Sequence, residues 1–282
     1  MRVAVTIIYN GLHHLLNRGF AKRMAEMFDV WVVVDGLSDN FGSGGNNKLN
    51  LPAISLDGTI EYLNSLIPKY PNIKILQRET PWKSKDEQFN YALTYLRGVY
   101  EIDNTYLWQV DADEQWELAD IVQAEIDLNN EGANCGACGF VHLMGIDLVA
   151  IGEWSSFSWA RLWKWNGQEL QTHEPPIMQG GNGKTILLKQ KFIHYSYYFE
   201  FDVGFKATYY KGYQRILQEW QKLVNGRIRV PIRAHLVLRL GNNKMIRPIS
   251  RTNILQYENQ KNQILQRQER LPANQVVGVD AD

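Results

Sequence analysis

The apolar positions of the first 130 residues follow two alternating patterns. Residues 2–8 are β-branched and apolar, as in a strand that is buried on both faces, and residues 29–35 predict a second buried strand. Residues 72–78 and 105–110 predict a third and a fourth strand. Apolar residues at helical spacing predict helices between them, at residues 12–28, 57–67 and 83–100, with another near 117–129. Strands that alternate with helices are typical of parallel βαβ units, so the pattern predicts an α/β sheet.

The pattern changes beyond residue 130. Strand-like runs follow one another with little helix between them, at residues 138–145, 157–165 and 185–199. Residues 203–224 are predicted to be helical. From about residue 241 the chain is rich in Asn, Gln and Arg and poor in large apolar side chains, which predicts a loosely ordered or docked tail.

Composition and charge restrict the class of protein. The 282 residues are 45% hydrophobic, which suits one large domain with a substantial core, with or without an elaborate tail. Thirty basic and thirty acidic side chains cancel, so no net field favours nucleic acid or an anionic membrane as a partner. The chain has no run of about 18 uninterrupted apolar residues, and no A-x-A-like cleavage site follows its first apolar run. We therefore expect a soluble, cytoplasmic protein without a signal peptide or transmembrane segment.

Three short motifs imitate functional sites. Cys135 and Cys138 suggest a redox pair or half of a zinc site, yet no second CxxC completes a zinc site and the surrounding residues predict a strand. Residues 179–185, QGGNGKT, lack the first glycine of a phosphate-binding loop and precede a strand-like run, so a glycine turn is predicted. His13 and His14 are expected to begin a helix and nothing more.

Four acidic residues follow the fourth predicted strand in the segment YLWQVDADEQWEL, residues 106–118. They are Asp111, Asp113, Glu114 and Glu117. Clustered carboxylates repel one another and cost free energy unless a cation lies among them. Open parallel sheets bind ligands at the carboxyl ends of their strands, where these acids are predicted to lie. Capping of the next helix explains one of the acids but not all of them, so we hypothesise a functional site.

An apolar strand followed by Asp-x-Asp is typical of three classes of enzyme. A haloacid-dehalogenase-type phosphatase normally has Thr or Val soon after the pair and carries it near the start of its core, whereas here three βα units come first. A sugar-phosphate nucleotidyltransferase needs a glycine-rich turn with arginine after the first strand, and YNGLHH (9–14) lacks it. The third class is the glycosyltransferases that use nucleotide sugars, and this sequence agrees with it in several places.

The chain resembles the family 2 glycosyltransferases of the GT-A fold over roughly residues 1–200. The matching motifs, in the family's order, are VTIIYNG (5–11), VVVDGLSDN (32–40), TPWKSKDEQFNYAL (80–93), VDADE (110–114), RLWKWNGQELQTHEP (161–175) and IHYSY (193–197). Ser196 stands where the family usually has glycine, and the loop after Asp39 is long. The resemblance implies a Rossmann-like GT-A fold with a mixed sheet flanked by helices. It also implies a catalytic domain at residues 1–200 and a C-terminal helical or irregular extension at residues 201–282.

The same resemblance implies a divalent cation, Mn²⁺ or Mg²⁺, beside a nucleoside-diphosphate sugar. A hard divalent cation bridges diphosphate and carboxylate oxygens and acts as a Lewis acid toward the leaving diphosphate. By resemblance, Asp113 is a direct ligand of the metal, and Asp111 contacts the ribose or a metal-bound water. His194 supplies an imidazole ligand from a later strand.

Further roles follow from the resemblance. Besides Asp111, the residues expected to contact the nucleotide sugar are Tyr9, Asn10, Asp35, Lys85 and Asn90, with Asp35 accepting a hydrogen bond from the base. An inverting transfer needs a general base for the acceptor hydroxyl, and Glu174 is the candidate. The two prolines that follow Glu174 predict a rigid turn. Arg161 is expected to serve the diphosphate or the acceptor.

The resulting prediction is a metal-dependent, inverting glycosyltransferase of the hexosyltransferase type. It moves a sugar from a nucleoside-diphosphate donor to a hydroxyl of a glycan, lipid-linked or protein acceptor. The alternative is a non-catalytic glycan- or nucleotide-binding protein on the same fold. Release of nucleoside diphosphate distinguishes the two.

Overall fold

The computed structural model describes residues 1–41, 45–46, 51–145, 148–152, 157–209, 216–225, 232–233 and 244–248. Its strands are β1 Arg2–Ile8, β2 Val30–Asp35, β3 Asn40–Phe41, β4 Gly45–Asn46, β5 Ile73–Leu76, β6 Thr105–Gln109, β7 Glu114–Gln115, β8 Cys135–Met144, β9 Leu148–Gly152, β10 Ser158–Trp165, β11 Leu170–His173, β12 Pro176–Met178, β13 Thr185–Tyr197, β14 Ile232–Arg233 and β15 Lys244–Pro248. Its helices are α1 Leu12–Leu16, α2 Phe20–Met27, α3 Thr59–Leu66, α4 Lys85–Val99, α5 Leu118–Asn130, α6 Glu200–Tyr209 and α7 Ile216–Val224. Among these helices, none has the length and apolar character needed to cross a membrane.

Strands from both halves of the chain form one mixed sheet, which confirms the predicted α/β class with helices on the sheet. β5, β2, β1 and β6 are parallel neighbours in that order. β10 then pairs antiparallel with both β6 and β8, and β13 runs parallel to β8. Parallel alignment brings the carboxyl ends of β1, β2 and β6 to one edge, which we call the carboxyl edge. Of the tail predicted beyond residue 241, β15 belongs to the described residues and the rest lies outside them.

Helices cover both faces of the parallel strands, so alternate residues of each strand enter two different apolar layers. One layer joins β1 and β2 to α2, α3 and α5, and includes Trp31, Met24, Leu63 and Ile121. The other layer joins the opposite face of the same strands to α4, and includes Val32, Phe89, Leu93 and Leu96. All six residues of β2 are buried. This is why residues 30–34 form a continuous apolar run.

The helix predicted at residues 12–28 is interrupted, so that prediction was wrong in part. A 3-10 turn at Asn17–Gly19 separates α1 from α2. Gly19 has a φ of 68°, a left-handed conformation that glycine adopts without steric cost and that α-helix cannot continue. The helical spacing survives the interruption because Leu15 and Met24 still pack in the same apolar layer.

The short motifs take structural positions. Cys135 and Cys138 both lie in β8 as buried free thiols, and burial raises the pKa of Cys135 to about 12. A thiol with such a pKa is protonated at neutral pH and is a poor nucleophile or metal ligand. The QGGNGKT segment connects β12 to β13 as a turn, as predicted. Neither motif contributes to the site described below.

α6 and α7 follow β13 and pack against its end. Trp220 Nε1 of α7 donates a hydrogen bond to the carbonyl oxygen of Tyr197 at 2.8 Å. The backbone N–H of Gly145 donates to the same oxygen at 2.9 Å. These hydrogen bonds hold the last residue of β13 in place, and α6 begins three residues later. As a result α6 lies at the carboxyl edge, where its side chains line the cavity described next.

Candidate active site

A cavity of about 530 Å³ opens at the carboxyl edge of the sheet. Its volume falls within the range of about 300–1,000 Å³ that is usual for small-molecule sites. The sequence-predicted residues that line it are Tyr9, Asn10, Lys85, Asp111, Asp113, Arg161, Glu174 and His194. Further polar residues that line it are His13, His14, Gln109, His142, His173, Ser196, Asp202 and Lys206. The predicted residues Asp35 and Asn90 lie outside this lining.

A buried arginine lies among the clustered acids. Arg161 on β10 donates from Nη2 to Glu114 Oε1 at 2.6 Å and to Asp111 Oδ2 at 3.1 Å, and from Nε to Glu114 Oε1 at 2.9 Å. The other oxygen of Glu114 accepts from Trp116 Nε1 at 3.1 Å. Burial alone would lower the pKa of Arg161, but Glu114 and Asp111 raise it above its ordinary value. The guanidinium therefore stays charged and offsets part of the repulsion between the acids.

Asp113 lies beside His194. The two side chains approach to 3.3 Å between Asp113 Oδ2 and His194 Nε2. Strand pairing fixes this geometry, because Tyr195 N donates to the carbonyl oxygen of Asp113 at 2.7 Å and His194 pairs with Glu114 across β13 and β7. Burial alone would raise the pKa of Asp113, but His194 and Lys206 hold it well below its usual range. Asp113 is therefore an anion at neutral pH.

Lys206 brings a positive charge from α6 into the cavity. Its Nζ donates to the carbonyl oxygen of Ser196 at 2.5 Å and to Ser196 Oγ at 2.6 Å. Burial lowers the pKa of Lys206, while Asp113 and Asp202 raise it in part. Lys206 was not predicted from the sequence, because a lysine in a helix that matches no motif carries no signal there.

Glu174 lies at the more exposed side of the cavity. Its side chain is 46% exposed, and its Oε1 is 3.5 Å from Lys85 Nζ. The neighbouring His173 is buried, and its backbone N–H donates to Asp86 Oδ1 at 2.6 Å, which fastens the turn to the first residues of α4. Burial, with the charge of Lys85, lowers the pKa of His173 to about 4. Its imidazole, 3.9 Å from Asp111, is therefore neutral at neutral pH.

Tyr9 and Asn10 follow β1 and contact the segment that precedes α3. Tyr9 Oη donates to the carbonyl oxygen of Pro52 at 2.9 Å. Asn10 Oδ1 accepts from Leu56 N at 2.9 Å, and Asn10 has a φ of 48°, a conformation that asparagine tolerates better than most residues. Both residues line the cavity and also hold the neighbouring loop in place.

Asp35 and Asn90 bond within the protein. Asp35 is fully buried and accepts from Ser55 Oγ at 2.5 Å, from Ser55 N at 3.1 Å and from Gln77 Nε2 at 3.0 Å. Burial raises the pKa of Asp35, and these hydrogen bonds lower it in part. Asn90 exchanges two hydrogen bonds with the backbone of Leu170, at 2.7 and 2.9 Å. In this structure Asn90 thus joins α4 to β11.

A second group of ligand-bearing side chains lines the same cavity. His13, His14 and Asp202 bring their ligand atoms within 4.8 Å of one another, although no role was predicted for the two histidines. Among the residues that the structure describes, Asp111, Asp113 and His194 do not form such a group of three. The Asp111 carboxylate is directed toward Arg161 and His173, so Asp113 and His194 form a pair without it.

The cavity contains groups that can bind a cation next to a group that can bind an anion. The Asp113 carboxylate and the His194 imidazole offer a cation two ligands, and Lys206 offers an anion an ammonium group. Asp111 is held by Arg161, and burial would raise its pKa, but Arg161 and His173 lower it. Glu174 adds a solvent-accessible carboxylate that can accept a proton from a bound hydroxyl.

No protein-family profile matches the chain, and no curated protein matches it. Its fold is similar to solved structures at low identity. S. aureus TarS 1–349 matches over 73% of this chain and 64% of that chain, with a TM-score of 0.43 and 14% identity. The same fragment in complex with UDP-GlcNAc matches over 50% of this chain and 35% of that chain, with a TM-score of 0.36 and 18% identity. The enzyme 4-diphosphocytidyl-2C-methyl-D-erythritol synthase matches over 58% of this chain and 74% of that chain, with a TM-score of 0.33 and 14% identity. The chain thus spans less than two thirds of the TarS structures it matches, and any function must be argued from the site.

Proposed function

We propose that this protein is a metal-dependent glycosyltransferase that moves a sugar from a nucleoside-diphosphate donor to an acceptor hydroxyl with inversion. The observation that supports this most is the meeting, in one cavity at the carboxyl edge, of Asp113 and His194 with Lys206 and Glu174. A nucleotide sugar presents a diphosphate, which requires both a cation and positive side chains. A transfer in addition requires a base for the acceptor.

Asp113 and His194 are the proposed cation ligands, with Asp111 contacting a metal-bound water or the ribose. Two ligands at about 2.1 Å from one ion and at right angles lie about 3.0 Å apart, close to the 3.3 Å between Asp113 Oδ2 and His194 Nε2. An imidazole ligand favours Mn²⁺ over Mg²⁺, which prefers oxygen ligands. When bound, the cation neutralises diphosphate charge and supplies Lewis acidity toward the leaving group.

The ammonium group of Lys206 is proposed to bind the diphosphate. Lys206 lies close enough to Asp113 for each to shift the pKa of the other, so its ammonium can contact a phosphate beside Asp113. Arg161 has a different role here, because Glu114 and Asp111 accept from its Nε and Nη2 and the carbonyl oxygen of Ala160 accepts from its Nη1. It positions Asp111. Tyr9 and Asn10 line the cavity and are proposed to contact the nucleoside, whereas Asp35 does not line it and accepts a hydrogen bond from Ser55 Oγ.

Glu174 is the proposed general base. Its half-exposed position suits contact with an acceptor that enters from solvent, and its Oε1 lies 3.5 Å from Lys85 Nζ. Deprotonation of the acceptor hydroxyl by Glu174 raises the nucleophilicity of its oxygen, which attacks the anomeric carbon as the bond to the diphosphate breaks. The proton moves to Glu174, and the nucleoside diphosphate leaves. The acceptor is a hydroxyl of a glycan, a lipid-linked sugar or a protein.

The test is release of nucleoside diphosphate from a panel of nucleotide sugars with Mn²⁺. We expect release with at least one donor and none for Asp113→Asn, while Asp103→Asn, an exposed acid outside the cavity, behaves as wild type. His194→Ala is expected to weaken Mn²⁺ binding by about 10–100-fold. A donor that raises the melting temperature without any release would favour the alternative, a nucleotide- or glycan-binding protein without catalysis. Equal release by wild type and Asp113→Asn would refute the assignment of Asp113.

A further inference from the structure

Two adjacent histidines of α1 and one aspartate of α6 form a compact group at the edge of the cavity. His13 Nε2 lies 2.9 Å from Asp202 Oδ1, and His14 Nε2 lies 3.0 Å from Asp202 Oδ2. The two imidazole rings are 4.2 Å apart between centroids. In the described part of the chain, this is the group of three ligand-bearing residues whose ligand atoms all lie within 4.8 Å of one another.

We propose that His13, His14 and Asp202 bind a transition-metal ion of the Zn²⁺ type, at a site distinct from that of Asp113 and His194. Ligands at about 2.0–2.1 Å from a tetrahedral ion lie about 3.3 Å apart. Each imidazole nitrogen is within a few tenths of an ångström of that distance from one oxygen of Asp202, His13 Nε2 from Oδ1 at 2.9 Å and His14 Nε2 from Oδ2 at 3.0 Å. A small outward movement of the side chains therefore admits the ion.

The donor set indicates the kind of ion. Two imidazoles and one carboxylate suit Zn²⁺, Fe²⁺ or Co²⁺, whereas Mg²⁺ and Ca²⁺ prefer oxygen ligands alone. Phe199 packs edge-on to both imidazoles, with centroids 5.0 Å from His13 and 5.3 Å from His14. Asp202 Oδ2, although 3.0 Å from His14 Nε2, has no partner in hydrogen-bond geometry among the described residues. Aromatic packing limits the movement of the rings, and the unsatisfied oxygen is available to an ion.

An ion bound by these three residues would connect two helices that are far apart in the sequence. α1 follows the carboxyl end of β1, whereas α6 begins the part of the chain after β13. An ion held by residues of both helices would link α6 to α1, and so would hold Lys206, on the next turn of α6 after Asp202, at the cavity. Burial lowers the pKa of Lys206, and the charges of Asp113 and Asp202 both oppose that shift, so an ion at Asp202 also changes the field at the proposed donor site.

Isothermal titration calorimetry of the full, EDTA-stripped chain with Zn²⁺ tests the proposal, with Co²⁺ absorption as a probe of the ligands. We expect Asp113→Asn to retain one Zn²⁺ site and the Co²⁺ bands of nitrogen and oxygen ligation. Asp202→Asn and His13→Gln should each lower the affinity of that site for Zn²⁺ by at least about 10-fold. Zn²⁺ should raise the melting temperature of the wild type and of the control Asp103→Asn. It should raise the melting temperatures of Asp202→Asn and His13→Gln much less. Circular dichroism without metal shows whether each variant is folded, and His13, which is the more exposed of the two histidines, is the substitution less costly to the fold.

Three outcomes would overturn the proposal: no Zn²⁺ bound by wild type, unchanged affinity in folded Asp202→Asn and His13→Gln, or loss of all Zn²⁺ binding in Asp113→Asn. The proposal is independent of the proposed function. Zn²⁺ binding without any donor turnover would refute the glycosyltransferase alone, and turnover with Mn²⁺ in a chain that binds no Zn²⁺ would refute the second site alone.

Discussion

Replacement of Arg161 with methionine should be one of the most destabilising single changes near the cavity. The guanidinium makes two contacts with Glu114, at 2.6 and 2.9 Å, and one with Asp111 at 3.1 Å. The side chains of Arg161 and Glu114 are 6% and 0% exposed, so the substitution leaves a carboxylate buried without its cation. Removal of one partner of such a pair costs about 3–5 kcal/mol in unfolding free energy. Asp111, at 29% exposure, contributes less because water screens it.

The size of this loss should depend on pH. Burial raises the pKa of Glu114 to about 7 even with Arg161 present, and removal of that positive charge raises it further. A carboxyl with a higher pKa in the folded than in the unfolded chain binds more protons when folded. Its effect on stability is favourable at low pH and is lost as pH rises toward the folded pKa. The variant should therefore lose less stability, relative to wild type, at about pH 5 than at about pH 8.

Urea denaturation followed by tryptophan fluorescence at both pH values measures the effect. The matched control is Arg97→Met, which removes an ion pair with Glu169 whose side chains are 33% and 39% exposed, and it should cost about 1 kcal/mol or less. Adding Glu114→Gln to Arg161→Met should restore part of the stability, because the neutral amide needs no cation. The reasoning is refuted if Arg161→Met costs no more than Arg97→Met, or if its cost is the same at both pH values.

Three further predictions concern the cavity. Glu174→Gln should leave donor affinity near wild type and lower the rate of single-turnover transfer by about 10²–10⁴-fold. Glu101→Gln, an exposed control, should change neither quantity. A normal transfer rate in Glu174→Gln would place the base elsewhere. Lys206→Met should weaken binding of the nucleoside diphosphate more than that of the nucleoside, which calorimetry with each ligand measures, and an equal effect on both would exclude a phosphate contact. The pKa of His173 is about 4 in the folded chain, whereas its ordinary value is 6.5. Between these two pH values the unfolded chain binds a proton that the folded chain does not. The metal-free protein should therefore lose about 3 kcal/mol of stability as pH falls from 6.5 to about 4. His173→Gln should flatten that part of the urea-denaturation profile, and an unchanged profile would contradict the assignment.

Local sequence patterns were sufficient to predict most elements and the position of the acids. The predicted strands at residues 2–8, 29–35 and 105–110 correspond to β1, β2 and β6, because a strand that is covered on both faces is apolar at most of its positions. Asp111 follows β6 at the carboxyl edge as predicted, since parallel strands put their carboxyl ends together. The break at Gly19 was not predicted, because apolar spacing records which side of the chain faces the core and not whether the helix is continuous.

Other features depend on contacts between distant parts of the chain. The carboxylate of Asp111 is turned toward Arg161, fifty residues later, and this pairing exists because β10 pairs next to β6. Asp202 and Lys206 reach the cavity because β13 runs parallel to β8 and delivers α6 to the carboxyl edge. No local pattern around either residue indicates this. Sequence patterns report periodic burial, which is a local property of the chain. The cavity, in contrast, brings acidic and basic side chains from distant segments together, and their positions depend on the strand order. Only the packed sheet determines that order.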